Sequence, residues 1–211
     1  MTDRGAAGRI PRLAREALAA HILAGLAMAA VLGRGLATNP DAASRMRFVA
    51  GHRALWTLSW LCWTAASFTI LRLFRALAAR HRVPFAVMLT VAAVGLDLSA
   101  QLLEALACPL FAARGLSGGF LEADRTAVVL TGGFANALYT LAAGGLAWRA
   151  RRAYPNWVSL SAGGVVFGGA ALSAAAYADS PAGLFWSNAA LVPCLVAWLW
   201  GLAVSVPGDA P

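Results

Sequence analysis

Six long apolar runs divide the chain, and short stretches carrying Arg, Pro, Gly or Asp separate them. The runs are continuous and do not alternate, so they predict helices and not barrel strands. Each is close to the roughly 20 residues a helix needs to cross a bilayer. The predicted spans are 18–36, 55–74, 84–108, 126–148, 158–177 and 184–205. The fold class implied is an all-α integral membrane protein, a bundle of six transmembrane helices forming one polytopic domain over residues 1–211.

The connections refine this pattern. Between the first two runs, residues 42–54 mix Arg45, Arg47, His52 and Arg53 with apolar positions, which predicts a short amphipathic helix lying in the interface. Pro84 suits the first turn of the third helix, and Pro109 is expected to bend or end it. The glycine- and acid-bearing stretch from Ala112 to Arg125 reads as a turn region. Pro193 is expected to kink the sixth helix. The start of the chain, with Arg4, Arg9, Arg12 and Arg15 before an apolar run, also resembles a cleaved signal peptide. The run is long for one and no clear Ala-x-Ala follows, so a retained first helix is expected.

Composition agrees with the class. Hydrophobic residues make up 60% of the chain and charged residues only 12%, about half the charge of an ordinary soluble domain. All seventeen basic residues are Arg, which with the Ala and Gly content suggests a GC-rich bacterial coding bias. No basic run is interleaved with aromatics in a foldable domain, so no nucleic-acid partner is expected. Cys62, Cys108 and Cys194 lack CxxC spacing, and His21, His52 and His81 lie in three different segments. No metal and no cofactor are expected from such scattered ligands.

The arginines also suggest a topology. With the N-terminus inside, the cytoplasmic segments hold eleven (Arg4, Arg9, Arg12, Arg15, Arg72, Arg75, Arg80, Arg82, Arg149, Arg151, Arg152). The other side holds six (Arg34, Arg45, Arg47, Arg53, Arg114, Arg125). This bias favours an N-in/C-in protein of the bacterial inner membrane, both termini cytoplasmic, with the lipid bilayer as its surroundings.

Candidate chemistry lies in the third run. Asp97, Gln101 and Glu104 fall at i, i+4 and i+7 and share one helical face. Ionisable groups within the membrane are costly and usually face protein or water. Counting 1.5 Å per residue, Asp97 lies ~20 Å from the cytoplasmic start of its helix, and Asn136 ~15 Å from the outer end of the fourth. Tyr139 shares a face with Asn136, Asn188 lies near the start of the sixth helix, and Trp60 belongs to a Trp56–Trp60–Trp63 stripe on the second. Together these residues suggest a polar pocket open to the extracytoplasmic side. Two readings of Asp97 stay open. It could be a structural group satisfied by Arg34 as charge partner or by Asn136, or it could line a proton or cation path or a ligand pocket.

Three function classes fit. The first is a binding or transport-type protein, with the Gly164/Gly168 GxxxG supporting tight packing either within the chain or between copies of a homo-oligomer. The second is an accessory or assembly subunit with a partner in a larger membrane complex. The third is a small membrane enzyme acting on a lipid or isoprenoid, with Asp97 and Glu104 as acid and base. Two carboxylates without a nucleophile or metal set are thin support for catalysis, so the balance leans away from an enzyme.

Overall fold

The computed structural model describes residues 9–205, so Arg4 of the basic N-terminal tract lies outside the described residues. These residues hold no strand. Six helices are long and apolar enough to cross a membrane: α1 (Arg9–Ala30), α3 (Arg53–His81), α4 (Pro84–Ala113), α5 (Ser117–Ala150), α6 (Asn156–Tyr177) and α7 (Pro181–Val204). The short α2 (Ala42–Gly51) joins α1 to α3. We call the end where α1 begins basal and the opposite end distal.

Each helix starts or stops where local chemistry allows. α1 begins nine residues before the expected position 18, because Ile10, Leu13, Ala14, Ala17 and Leu18 are buried and already repeat at helical spacing. Arg12 pairs with Glu16 at 3.0 Å one turn on, and Glu16 meets Arg72 of α3 at 3.0 Å. Arg9, Arg12 and Arg15 are therefore part of the helix. α2 is capped by Asp41, whose carboxylate accepts the Ser44 N–H at 3.0 Å. α3 ends at Arg82, held in the left-handed region at φ 56°. Ser180 caps α7, with Pro181 at its first position.

Two expectations about α4 and α5 are corrected. Pro109 does not end α4, which runs on to Ala113. A π-helical segment, Leu103–Ala107, precedes the proline, and the Cys108 N–H reaches back to the Leu103 carbonyl. Two carbonyls thereby lose their helical partners, Glu104 to the widened turn and Ala105 to the missing proline N–H. The α3 side chains replace them: Trp56 Nε1 donates to the Glu104 carbonyl at 2.6 Å and Thr57 Oγ1 to the Ala105 carbonyl at 3.1 Å. The expected turn region Ala112–Arg125 shrinks to three residues, 114–116, because α5 starts at Ser117. Phe120, Ala123, Asp124 and Ala127 form a buried face at helical spacing, and that burial outweighs the glycine and charge content of the segment.

The six long helices pack in chain order: α1 on α3, α3 on α4, α4 on α5, α5 on α6, α6 on α7, and α7 back on α1. This closes a ring. A basal core seals one end, with Leu13, Leu73, Phe74, Leu77, Leu146, Leu199 and Leu202 buried together. A distal core joins Leu32, Val49, Trp56, Trp60 and Phe120. α2 sits in that distal core with Val49 fully buried, so it packs on protein as well as presenting an exposed face.

The glycines of α6 serve the ring. A Cβ on Gly168 would come within 3.0 Å of the Leu191 backbone, and one on Gly164 would press into Cys194 of α7. The Gly164/Gly168 face is therefore filled within the chain and not between copies of a homo-oligomer, since only glycine lets α7 approach so closely. The outer surface is apolar, with Leu26, Leu58, Met88, Leu106, Leu160 and Phe167 all more than half exposed. Six such helices with this surface support lipid contact in a multi-pass membrane protein.

Candidate functional site

The Asp97–Gln101–Glu104 face of α4 points into the ring, and all three residues are buried. Asp97 accepts from three hydroxyls on two neighbouring helices. Ser67 Oγ of α3 lies at 2.8 Å, Tyr139 Oη of α5 at 3.3 Å, and Thr131 Oγ1 of α5 also donates to it. One turn along, Gln101 Oε1 accepts from Thr64 Oγ1 at 2.6 Å. Its amide donates weakly to Ser67 Oγ at 3.4 Å. Glu104 is 2% exposed, and its Oε1 has no hydrogen-bond partner among the described residues. The indole N–H groups of Trp60 and Trp63 are likewise buried without a partner.

These groups line one cavity of about 270 Å³ at the centre of the ring. That is roughly twenty times the space a single water needs. Most of its wall is apolar, including Phe74, Leu172, Leu191 and Trp198, and the polar side chains cluster on α3, α4 and α5. Both π-helical segments, Leu103–Ala107 and Val129–Ala135, carry residues of this lining, Glu104 from the first and Thr131 and Gly132 from the second. Such insertions in a helix are frequent at functional sites, because they re-aim side chains without ending the helix.

The cavity brings together Trp60, Asp97, Gln101, Glu104, Asn136, Tyr139 and Asn188. Their roles differ. Asn136 donates to the Gly169 carbonyl at 2.6 Å and to Ser173 Oγ at 2.9 Å, so its amide ties α5 to α6 while its side chain edges the cavity. It also lies deeper than expected, ~28 Å from the start of α5, because that helix begins at Ser117. Asn188 is exposed at the rim and donates to Leu184 of its own helix at 2.9 Å.

Arg34 is not the charge partner of Asp97. Its guanidinium lies 5.8 Å from the centre of the Phe48 ring at the distal surface, and it does not line the cavity. Among the described residues, Asp97 and Glu104 form no ion pair. The buried pair joins other residues: Arg45 Nη2 of α2 meets Asp124 Oδ1 of α5 at 2.5 Å, outside good hydrogen-bond alignment. Arg45 also donates from Nε to the Gly35 carbonyl at 3.0 Å and lies over the Phe120 ring. No three His, Cys, Asp or Glu side chains among the described residues converge where one metal ion could sit.

Sequence reasoning missed Ser67, Thr64, Arg45 and Asp124. A signal existed for the first two. Trp60, Thr64 and Ser67 fall at i, i+4 and i+7, on the same face as the tryptophan stripe that was singled out. Arg45 and Asp124 gave no such sign, since each looks like an interfacial charge until the distal core encloses it. What the arrangement can do chemically is hold a small amphiphile: a cluster of acceptors and orphan donors on one side faces an apolar wall on the other. No family model matches the chain, and neither the curated proteins nor the solved structures compared with it give a match.

Proposed function

We propose that this is a binding or transport-type protein of a bacterial inner membrane, with both termini cytoplasmic and its cavity accessible from the extracytoplasmic side. The observation that carries this reading is the convergence of Asp97, Gln101, Glu104 and the orphan indole N–H groups on one central cavity. Polar groups in a membrane bundle are costly unless they specify packing or meet a ligand. Here Asp97 is satisfied by hydroxyls, whereas Glu104 Oε1 and two indoles are left for something else. The eleven-to-six arginine bias supports the orientation. A transport cycle in so small a chain would favour a dimer, and such a dimer would have to use an exposed face other than Gly164/Gly168.

The test is a thermal-shift screen of the purified protein against ions, lipids and small polar ligands, repeated on Asp97→Asn. A true ligand at a hundred times its dissociation constant stabilises by about 2.7 kcal/mol, worth several degrees in Tm. Asp97→Asn is expected to fold, because its amide can still meet the three hydroxyls, and to lose that shift. A ligand whose shift survives Asp97→Asn unchanged would move the site elsewhere. Isolation only with a tightly bound membrane partner, and with no ligand response, would favour the accessory-subunit reading.

A further inference from the structure

The ring is not sealed evenly. α1 and α7 share a core only at the basal end, where Ile10, Leu13 and Leu18 are buried with Trp198, Leu199 and Leu202. Towards the distal end the two helices turn to different neighbours. Met28 and Leu32, at and just beyond the end of α1, pack with Trp56 and Trp60 of α3. Leu184 of α7 packs with Leu172 and Ala176 of α6. Along this seam the cavity is lined by His21 and Met28 on one edge and by Asn188 and Val192 on the other, and the last two are exposed. Outside the seam stand Ile22, Leu26, Phe185 and Trp186, all exposed. The cavity thus reaches this seam, between apolar helix faces.

Its interior has a sign. Ser67, Thr131 and Tyr139 each turn a hydroxyl towards Asp97, an arrangement that suits an anionic acceptor. Glu104 Oε1, almost fully buried, lacks a donor among the described residues. No arginine among the described residues lines the cavity, and the nearby Arg45 is paired with Asp124. A buried carboxylate without a cation is strongly disfavoured unless it takes up a proton, so a cationic head bound here would be stabilised by both carboxylates. Trp60, Trp63 and Tyr139 add aromatic lining, whose ring faces attract cations, while the two orphan indole N–H groups are not used by a cationic head. An anionic phosphate head would instead meet two carboxylates.

We propose that the ligand is a lipophilic organic cation, an amine or ammonium head on a hydrocarbon body, entering from the bilayer between α1 and α7. This rests on the reading of the cavity as a ligand site. Asp97 and Glu104 are seven residues apart, ~10 Å along α4, so the head sits between them beside Gln101. The hydrocarbon body lies against the apolar wall and leaves through the seam.

The test is calorimetric titration of the full chain in phosphatidylcholine nanodiscs, with empty discs subtracted, using octyltrimethylammonium, octanol and octyl sulfate as probes. The cation is expected to bind saturably, roughly tenfold or more tighter than octanol, and to weaken about tenfold in Asp97→Asn and in Glu104→Gln. Octanol binding as tightly as the cation, or cation binding unchanged in both variants, overturns the charge assignment while leaving the cavity as a ligand site. No saturable binding of any probe overturns it and also removes support from the binding reading. Should a variant fail to fold, the comparison of head groups on the unaltered chain still decides. Asn188→Trp narrows the seam and is expected to slow cation association roughly fivefold; an unchanged rate overturns the lateral route.

Discussion

Arg45 and Asp124 offer the sharpest test of how the distal end is held. Arg45 is 5% exposed and Asp124 4%, and they join α2 to α5. Asp124→Asn keeps the shape of the side chain but removes its charge. The guanidinium then retains only the Gly35 carbonyl at 3.0 Å and the Phe120 ring, 5.4 Å from its centre. Removing one partner of a buried pair costs about 3–5 kcal/mol. The retained contacts and the amide oxygen reduce this, so a loss of about 2–3 kcal/mol is expected. Arg45→Met leaves the carboxylate buried with no other partner among the described residues, and should cost at least as much. The double variant Arg45→Met with Asp124→Leu removes both charges and fills the space. It is expected within about 1 kcal/mol of the parent, giving a coupling of at least ~2 kcal/mol. Reversible unfolding by SDS titration in mixed micelles, followed by tryptophan fluorescence, reads these proteins and Asp124→Leu alone, which closes the cycle. Trp56 and Trp60, two of the eight tryptophans, belong to the same distal core and contribute to the signal. Single variants costing under about 0.5 kcal/mol, with additive effects, would refute the pair as a structural tie.

Two further predictions use the same measurement. Thr57→Val strips the Ala105 carbonyl of the one donor that replaces the proline N–H, and should cost about 1–2 kcal/mol; Thr69→Val, whose hydroxyl only returns to Ala66 of its own helix, should cost under about 0.5 kcal/mol. Tyr154, in the basal loop between α5 and α6, has a buried hydroxyl without a partner among the described residues, and burial pushes its phenol up to about 12. Its folded form therefore holds the proton more tightly than the unfolded chain does. The stability linked to it is full below about pH 10 and is lost as pH rises towards 12, by at most ~3 kcal/mol. Tyr154→Phe should flatten that alkaline loss and leave neutral-pH stability unchanged or slightly raised, as unfolding curves taken between pH 7 and 12 would show.

The sequence alone determined the six helices and the polar face inside the bundle. Both follow from local facts: a run of some twenty apolar residues has few structures open to it, and a spacing of four and then three puts Asp97, Gln101 and Glu104 on one side of any helix. Helix ends were less legible. The charges of Arg12 and Arg15 and the glycines of the 117–119 stretch disguised helical faces whose burial depends on α3, α2 and α4. What met Asp97 was decided by the tertiary structure. Arg34 had the complementary charge, but three hydroxyls had the position, because α3 and α5 flank α4 in the ring while Arg34 stays at the distal rim. The same holds for Gly164 and Gly168, whose spacing says only that some helix comes close; the fold makes that helix α7. The seam between α1 and α7 is the extreme case. Those helices are the farthest apart of the six in the chain, so their meeting at one end and parting at the other is set by the packing of every helix between them.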